Sequence, residues 1–154
     1  MNSTTATSIR PGFDTNILIY SFDLRDRHKH NVARTLVRRC AEMDGVLSIQ
    51  CLTEFYRATT RKKILSQSLA FDAVELTRAS FEIISPSEED LLRAMQDHAI
   101  HKVQFFDALM RTTLNRGGCT LLFSEDFSHG DTFRKLRIIN PFKLSVTELD
   151  QLLA

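Results

Sequence analysis

The chain has 154 residues, 43% hydrophobic and 25% charged, with 20 basic against 19 acidic side chains and a net charge of +1. This is the composition of an ordinary soluble domain, long enough to bury a core without disulfides or a structural metal. The near balance of charge excludes a globally basic nucleic-acid binder, so any such surface must be local.

Residues 1–8 lack the apolar stretch of a signal peptide and read as a flexible lead-in to a single domain over residues 9–154. A first strand is expected over Ser8–Phe13, polar and marred by Pro11, followed by a short helix over Thr15–Ser21. Val32, Leu36, Val37 and Cys40 recur at helical spacing within His28–Met43, and Asp44-Gly45 closes that helix. Val46–Ile49 reads as a short buried strand, and a helix is expected from Leu52 to Lys63. Ser68–Ala79 is a further helix and Phe81–Ile84 a strand. Pro86-Ser87 opens the next helix, whose first turn carries Glu88, Glu89 and Asp90 at its favourable end and which runs to His101. Phe105–Arg116 forms another helix, stopped by Gly117-Gly118. Cys119–Phe123 and Leu136–Ile139 complete the strands, the latter ended by Asn140-Pro141. Strands separated by helices imply parallel pairing, hence a three-layer α/β/α sandwich around a central, mostly parallel sheet.

Cys40, Cys51 and Cys119 are odd in number and without CxxC spacing. They read as reduced core cysteines of a cytoplasmic protein. No apolar run approaches the roughly 20 residues of a membrane span.

Four carboxylates, Asp14, Glu54, Asp107 and Asp126, fall where these strands or helices begin or end. Parallel sheets bind ligands beyond the carboxyl ends of their strands, where Asp14 and Asp126 lie. Intervals of 40, 53 and 19 residues are too long for a local loop, so the fold must assemble any shared site. Asp14 alone also reads as a helix N-cap, and Glu54 as an exposed helical acid paired with Arg57. Asp107, between Phe105-Phe106 and Ala108-Leu109-Met110, is harder to place as a bland surface acid, because an unpaired charge on a buried face is costly. Ser124, Glu125 and Asp126 suit turn chemistry, and the period does not decide which acid turns inward. Converging carboxylates repel, and a divalent cation is the usual relief. Oxygen ligands without Cys or His spacing suit Mg²⁺ or Mn²⁺ rather than zinc. His98 and His101 are three apart on a helix but lack a third ligand.

The opening Asp14-Thr15-Asn16-Ile17-Leu18, then Thr53-Glu54-Phe55, Phe106-Asp107-Ala108-Leu109, Ser124-Glu125-Asp126-Phe127-Ser128-His129-Gly130 and Ile139-Asn140-Pro141-Phe142 occur in that order. Together they resemble the PIN-domain nucleases, in particular the VapC-like toxins of bacterial toxin–antitoxin systems, over about residues 11–143. The resemblance implies Mg²⁺- or Mn²⁺-dependent cleavage of RNA. It matches Asp14, Glu54, Asp107 and Asp126 to the acidic, metal-holding positions and Asn16 and Ser124 to polar positions beside them. It favours Asp126 over Glu125, because the acid follows the Ser by two. It also implies a homodimer and a small antitoxin protein that blocks the site.

Arg25, Arg27 and Lys29 form one basic stretch and Arg57, Arg61 and Lys62 another. Both are candidate phosphate contacts, which position RNA without reading its sequence, and both also read as solvated charged faces. Tyr20 and Phe22 are candidate base-stacking residues, with core packing the plainer alternative. Two rivals accompany the endoribonuclease reading: a PIN-fold module that grips RNA or protein without cutting, and a DNA-directed nuclease.

Overall fold

A computed structural model describes residues 8–154, so the expected lead-in lies, apart from Ser8, outside the described residues. In chain order the elements are β1 (Pro11–Phe13), α1 (Thr15–Tyr20), α2 (Arg27–Glu42), β2 (Val46–Ser48), α3 (Ile49–Arg61), α4 (Gln67–Ser80) and β3 (Glu82–Ile84). There follow α5 (Glu88–His101), α6 (Phe105–Arg116), β4 (Leu121–Phe123), β5 (Thr132–Phe133), β6 (Leu136–Ile139), a 3-10 turn (Pro141–Lys143) and α7 (Val146–Leu152). Side-chain oxygens cap most helix starts: Asp14, Asp26, Ser48, Ser66, Ser87 and Ser145 each accept from a free amide of the following turn. Caps of this kind are worth about 1 kcal/mol each.

β1 pairs parallel with β4, placing Phe13 opposite Phe123, and β4 pairs parallel with β6. β5 closes the edge antiparallel to β6. β2 and β3 form a second parallel pair, lying against β1 at Gly12. A Cβ there would stand 2.5 Å from the Val46 carbonyl oxygen and 3.1 Å from Cys119 Sγ. The bare glycine is what lets the two pairs approach.

Alternation along the strands sorts the core into two layers. Leu121, Phe123, Phe13 and Ile139 join Ile17, Leu36, Cys51, Phe55 and Leu149 on the side covered by α1 to α4 and α7. Leu122, Leu136 and Ile138 face Met110 and Leu114 of α6 on the other. α5 packs outside α6, tied by Arg111–Asp97 and Arg116–Asp90 ion pairs at 2.7 and 2.8 Å. The arrangement is the expected α/β/α sandwich. The three cysteines are buried and unpaired, and burial pushes the Cys119 thiol up to about 12. No described helix is long and apolar enough to cross a membrane.

Several boundaries differ from the expectation. β1 starts at Pro11; Arg10 still faces Thr120, accepting its backbone N–H at 2.9 Å, but gives its own N–H to the Thr120 hydroxyl rather than to a backbone carbonyl. β1 is fully buried rather than polar; proline is tolerated at a strand's first residue. β4 starts at Leu121 rather than Cys119. α3 starts three residues early, at Ile49, because Ser48 ends β2 and caps the helix through Gln50 N–H at 3.2 Å. β5 and α7 were not expected. The first has two residues, and the second follows an Asn-Pro stop that reads as the end of regular structure.

Candidate active site at the carboxyl ends of the strands

Asp14 follows β1 directly and is only 5% exposed. Its backbone N–H continues the ladder to the Phe123 carbonyl at 3.1 Å. Oδ1 accepts from the Ile17 amide at 3.3 Å, the cap of α1, and Oδ2 accepts from the Ser124 hydroxyl. Ser124 in turn accepts from the Asp126 amide at 3.1 Å, so one buried hydroxyl links the acids after β1 and β4. Asp126 is open to solvent on its outer side, and its Oδ2 lies 3.5 Å from Asn16 Nδ2.

Glu54 lies in the second turn of α3, not the first, and reaches toward α1. Thr15 Oγ1 donates to its Oε2 at 2.7 Å, and Gln50 Nε2 to its Oε1 at 3.0 Å. It forms no ion pair with Arg57 among the described residues. Gln50 also donates to the Phe106 carbonyl at 3.3 Å, tying α3 to the first turn of α6 beside Asp107. The Asp107 amide donates to Gln104 Oε1 at 3.0 Å, leaving its half-buried carboxylate toward the other acids.

Three of the carboxyls are raised, each by burial first and by at least one neighbouring acid. Burial, then Asp126, lifts the Asp14 carboxyl to about 7 against the opposing Ser124 bond. Asp107 is raised by burial and by Asp126 and Glu54, with Arg111 opposing. Asp126 is raised by burial, by Glu125 and by Glu54. Acids from four separate segments thus converge beyond the carboxyl ends of β1 and β4.

Glu125 turns the other way. It accepts from the Tyr20 hydroxyl and from Lys29 Nζ, the latter at 2.9 Å. Of the two adjacent acids, Asp126 lies beside Asn16 and Ser124 and Glu125 beside Tyr20 and Lys29. Lys29, a candidate phosphate contact, is engaged by Glu125. Arg25 is held by Asp23 through contacts of 2.7 and 2.9 Å. Arg27, Arg57, Arg61 and Lys62 are exposed. Tyr20 packs edge-on against Phe142 with ring centroids 5.5 Å apart, and Phe22 packs on Phe55 at 5.4 Å. His98 is occupied locally, its Nδ1 lying 2.8 Å from the Val103 carbonyl.

Thr15 and Gln50 were missed. Gln50 stands four residues before Glu54, a helical neighbour. That signal is hidden when α3 is expected to begin at Leu52.

The donor set is all oxygen, which suits a hard cation. Among the described residues no three carboxylate, imidazole or thiol groups stand close enough together to hold a metal ion between them. Magnesium asks less of the protein, since it keeps several waters and takes one or two carboxylates directly. By that measure the acids fit an open, water-completed site. A groove of about 1000 Å³ between α1, α2 and α4 lies elsewhere and is lined by none of the four acids.

An α/β/α sandwich with carboxylates gathered beyond its parallel strands defines a PIN-type fold. The PIN domain family profile matches residues 13–135, and the chain belongs to the PIN domain family. Its fold is similar to that of a toxin–antitoxin complex from Klebsiella pneumoniae, with TM-score 0.63 and 18% identity over 88% of this chain and 99% of that one. It is also similar to VapC20 of Mycobacterium tuberculosis, a sarcin–ricin loop cleaving toxin, with TM-score 0.62 and 17% identity over 82% of this chain and 98% of that one. The chain matches none of the curated proteins.

Proposed function

We propose that the chain is a Mg²⁺- or Mn²⁺-dependent endoribonuclease, the toxin of a toxin–antitoxin pair. The observation that carries this reading is the convergence of Asp14, Glu54, Asp107 and Asp126, each of the three shifted carboxyls being raised in part by another of the set. Membership of the PIN family and the toxins of similar fold support it.

A divalent cation bound by these acids would lower the pKa of an attacking water and offset charge developing on the phosphodiester. The chain's own residues prepare for it. Ser124 and the α1 amides hold Asp14; Thr15 and Gln50 hold Glu54 with both oxygens directed by hydrogen bonds. Asp126 and Asn16 stand at the open rim, where substrate phosphate enters. Arg57, Arg61 and Lys62, exposed beyond Glu54 on α3, supply sequence-independent phosphate attraction.

The reading includes two protein partners. Leu92, Met95 and Ile100 of α5 and Phe106 of α6 are each more than half exposed, at 59, 52, 71 and 52%. A second copy of the chain would cover them. The groove between α1, α2 and α4 presents Leu18, Phe22, Val37 and Leu76 beside Arg34 and Arg38, a surface for an amphipathic, acidic antitoxin segment.

The competing reading is a PIN-fold module that binds without cutting, favoured by the lack of a closed three-ligand cluster among the described residues. The purified protein is to be incubated with a structured RNA pool in Mn²⁺ and in EDTA, with Asp14→Asn as control. Metal-dependent cuts absent from the variant are expected. RNA binding without cutting under all conditions would replace the nuclease with the binding module. A matched DNA pool tests the DNA-directed alternative.

A further inference from the structure

We propose that Lys29 and Tyr20 are positioning residues for Asp126, which they hold toward the site by clamping the neighbouring Glu125 outside it. The inference rests on the endoribonuclease reading for its catalytic meaning and on geometry for the clamp.

Asp126 needs such a device. Residues 124–128 belong to no helix or strand. Among the described residues the Asp126 side chain has one hydrogen-bond partner, Asn16 at 3.5 Å, the outer limit of a hydrogen bond. Glu125 beside it on the loop and Glu54 across from it both disfavour its negative charge.

Glu125 supplies the tether. Lys29 Nζ lies 2.9 Å from its Oε2, and the Tyr20 hydroxyl donates to its Oε1. Lys29 Nζ is also 3.3 Å from the Tyr20 oxygen and sits 4.8 and 5.2 Å from the ring centroids of Tyr20 and Phe142. His30, buried, fixes the end of α1 with Nδ1 2.9 Å from the Tyr20 carbonyl. The end of α1 and the first turn of α2 therefore meet on one side chain of the loop, and Phe142 of the 3-10 turn after β6 packs behind the two groups that hold it.

The Lys29 and Glu125 side chains are 30 and 20% exposed. The pair is thus better shielded than a surface ion pair, and loss of one partner strands a charge. Without Lys29, Glu125 would stand as an uncompensated negative charge beside Asp126. The simplest relief is for the loop, with Asp126 on it, to move away.

Lys29→Met, Glu125→Gln, their double variant and Lys29→Arg are to be compared with wild type in three measurements: hydrogen exchange at the Asp126 amide, kcat on RNA with Mn²⁺, and RNA affinity in Ca²⁺. Lys29→Met is expected to speed Asp126 exchange and lower kcat, each about tenfold, equivalent to one broken charged hydrogen bond. RNA affinity should stay within about twofold, because a removed phosphate contact would weaken binding instead. Lys29→Arg should recover most of kcat, and the double variant should be no worse than Lys29→Met. Unchanged Asp126 exchange in Lys29→Met overturns the clamp. So does weakened RNA affinity at intact kcat, which makes Lys29 a phosphate contact. If wild type does not cut RNA, the nuclease reading fails and the exchange rates still decide whether the clamp exists.

Discussion

Ser124 donates its hydroxyl proton to Asp14, joining the carboxyl ends of β4 and β1 across 110 residues of chain. The same carboxylate caps α1 through the Ile17 amide. One buried acid therefore closes a strand end, starts a helix and faces the other acids.

Its charge weighs on stability. Burial first, and Asp126 next, raise the Asp14 carboxyl from 3.8 to about 7. A raised carboxyl lends stability that is complete below its unfolded value and lost as pH rises through the folded one. The metal-free protein is expected to lose on the order of 4 kcal/mol from this group between about pH 4 and pH 8. Urea unfolding in EDTA at pH 5 and pH 8 should recover more than half of that difference, and Asp14→Asn should flatten it. A flat wild-type profile would mean that Asp14 ionises without cost.

Asp107→Asn separates folding from chemistry. The half-buried Asp107 carboxyl is raised by burial and by Asp126 and Glu54, so a neutral isostere relieves repulsion and should leave metal-free stability unchanged or higher. Metal-dependent cutting should disappear. In wild type, Mn²⁺ at about 100 times its Kd should add about 2.7 kcal/mol of stability, and less at pH 5, where protons compete. Thermal unfolding with and without Mn²⁺ reads both effects. Full activity in Asp107→Asn would remove that residue from the mechanism.

Gly12→Ala tests how the two parallel pairs meet. The added Cβ would lie 2.5 Å from a backbone oxygen of β2 and against Cys119 Sγ, neither of which is a flexible side-chain end. Overpacking of this kind costs about 1–3 kcal/mol. Chemical denaturation should show that loss, whereas an unchanged midpoint would mean that β2 moves away freely.

The sequence made the helices legible through their apolar period and their start and stop residues, as at Ser87, where the structure adds a capping box with Asp90. Three-residue strands leave little room for period two, so β1 was misjudged as polar although Pro11, Gly12 and Phe13 are all buried. Asp14, Asp107 and Asp126 stood out in the sequence at element boundaries, whereas Glu54 lies in the second turn of α3 and its place in the set rested on the family resemblance. Their holders were not legible. Thr15 and Gln50 reach Glu54 only because α3 begins at Ile49 and leans on α1, and no local pattern encodes that tilt. The outward turn of Glu125 depends on Lys29, 96 residues earlier, and was equally hidden.

The support of Glu54 gives the most local test of the proposed site. Its two oxygens are directed separately, Oε2 by Thr15 at 2.7 Å and Oε1 by Gln50 at 3.0 Å. Hydrogen bonds to a charged group contribute about 1.5–3 kcal/mol, so Thr15→Val, which keeps the shape, should cut RNA at least about tenfold more slowly. Gln50→Ala should do the same and also loosen α3 from α6, because Gln50 alone reaches both Glu54 and the Phe106 carbonyl. Thr15→Val should therefore slow turnover with a stability loss no larger than that one bond, while Gln50→Ala, which also frees α3 from α6, should cost more stability. If Thr15→Val cuts at the wild-type rate, Glu54 does not need to be held, and its part in the chemistry has to be reassigned.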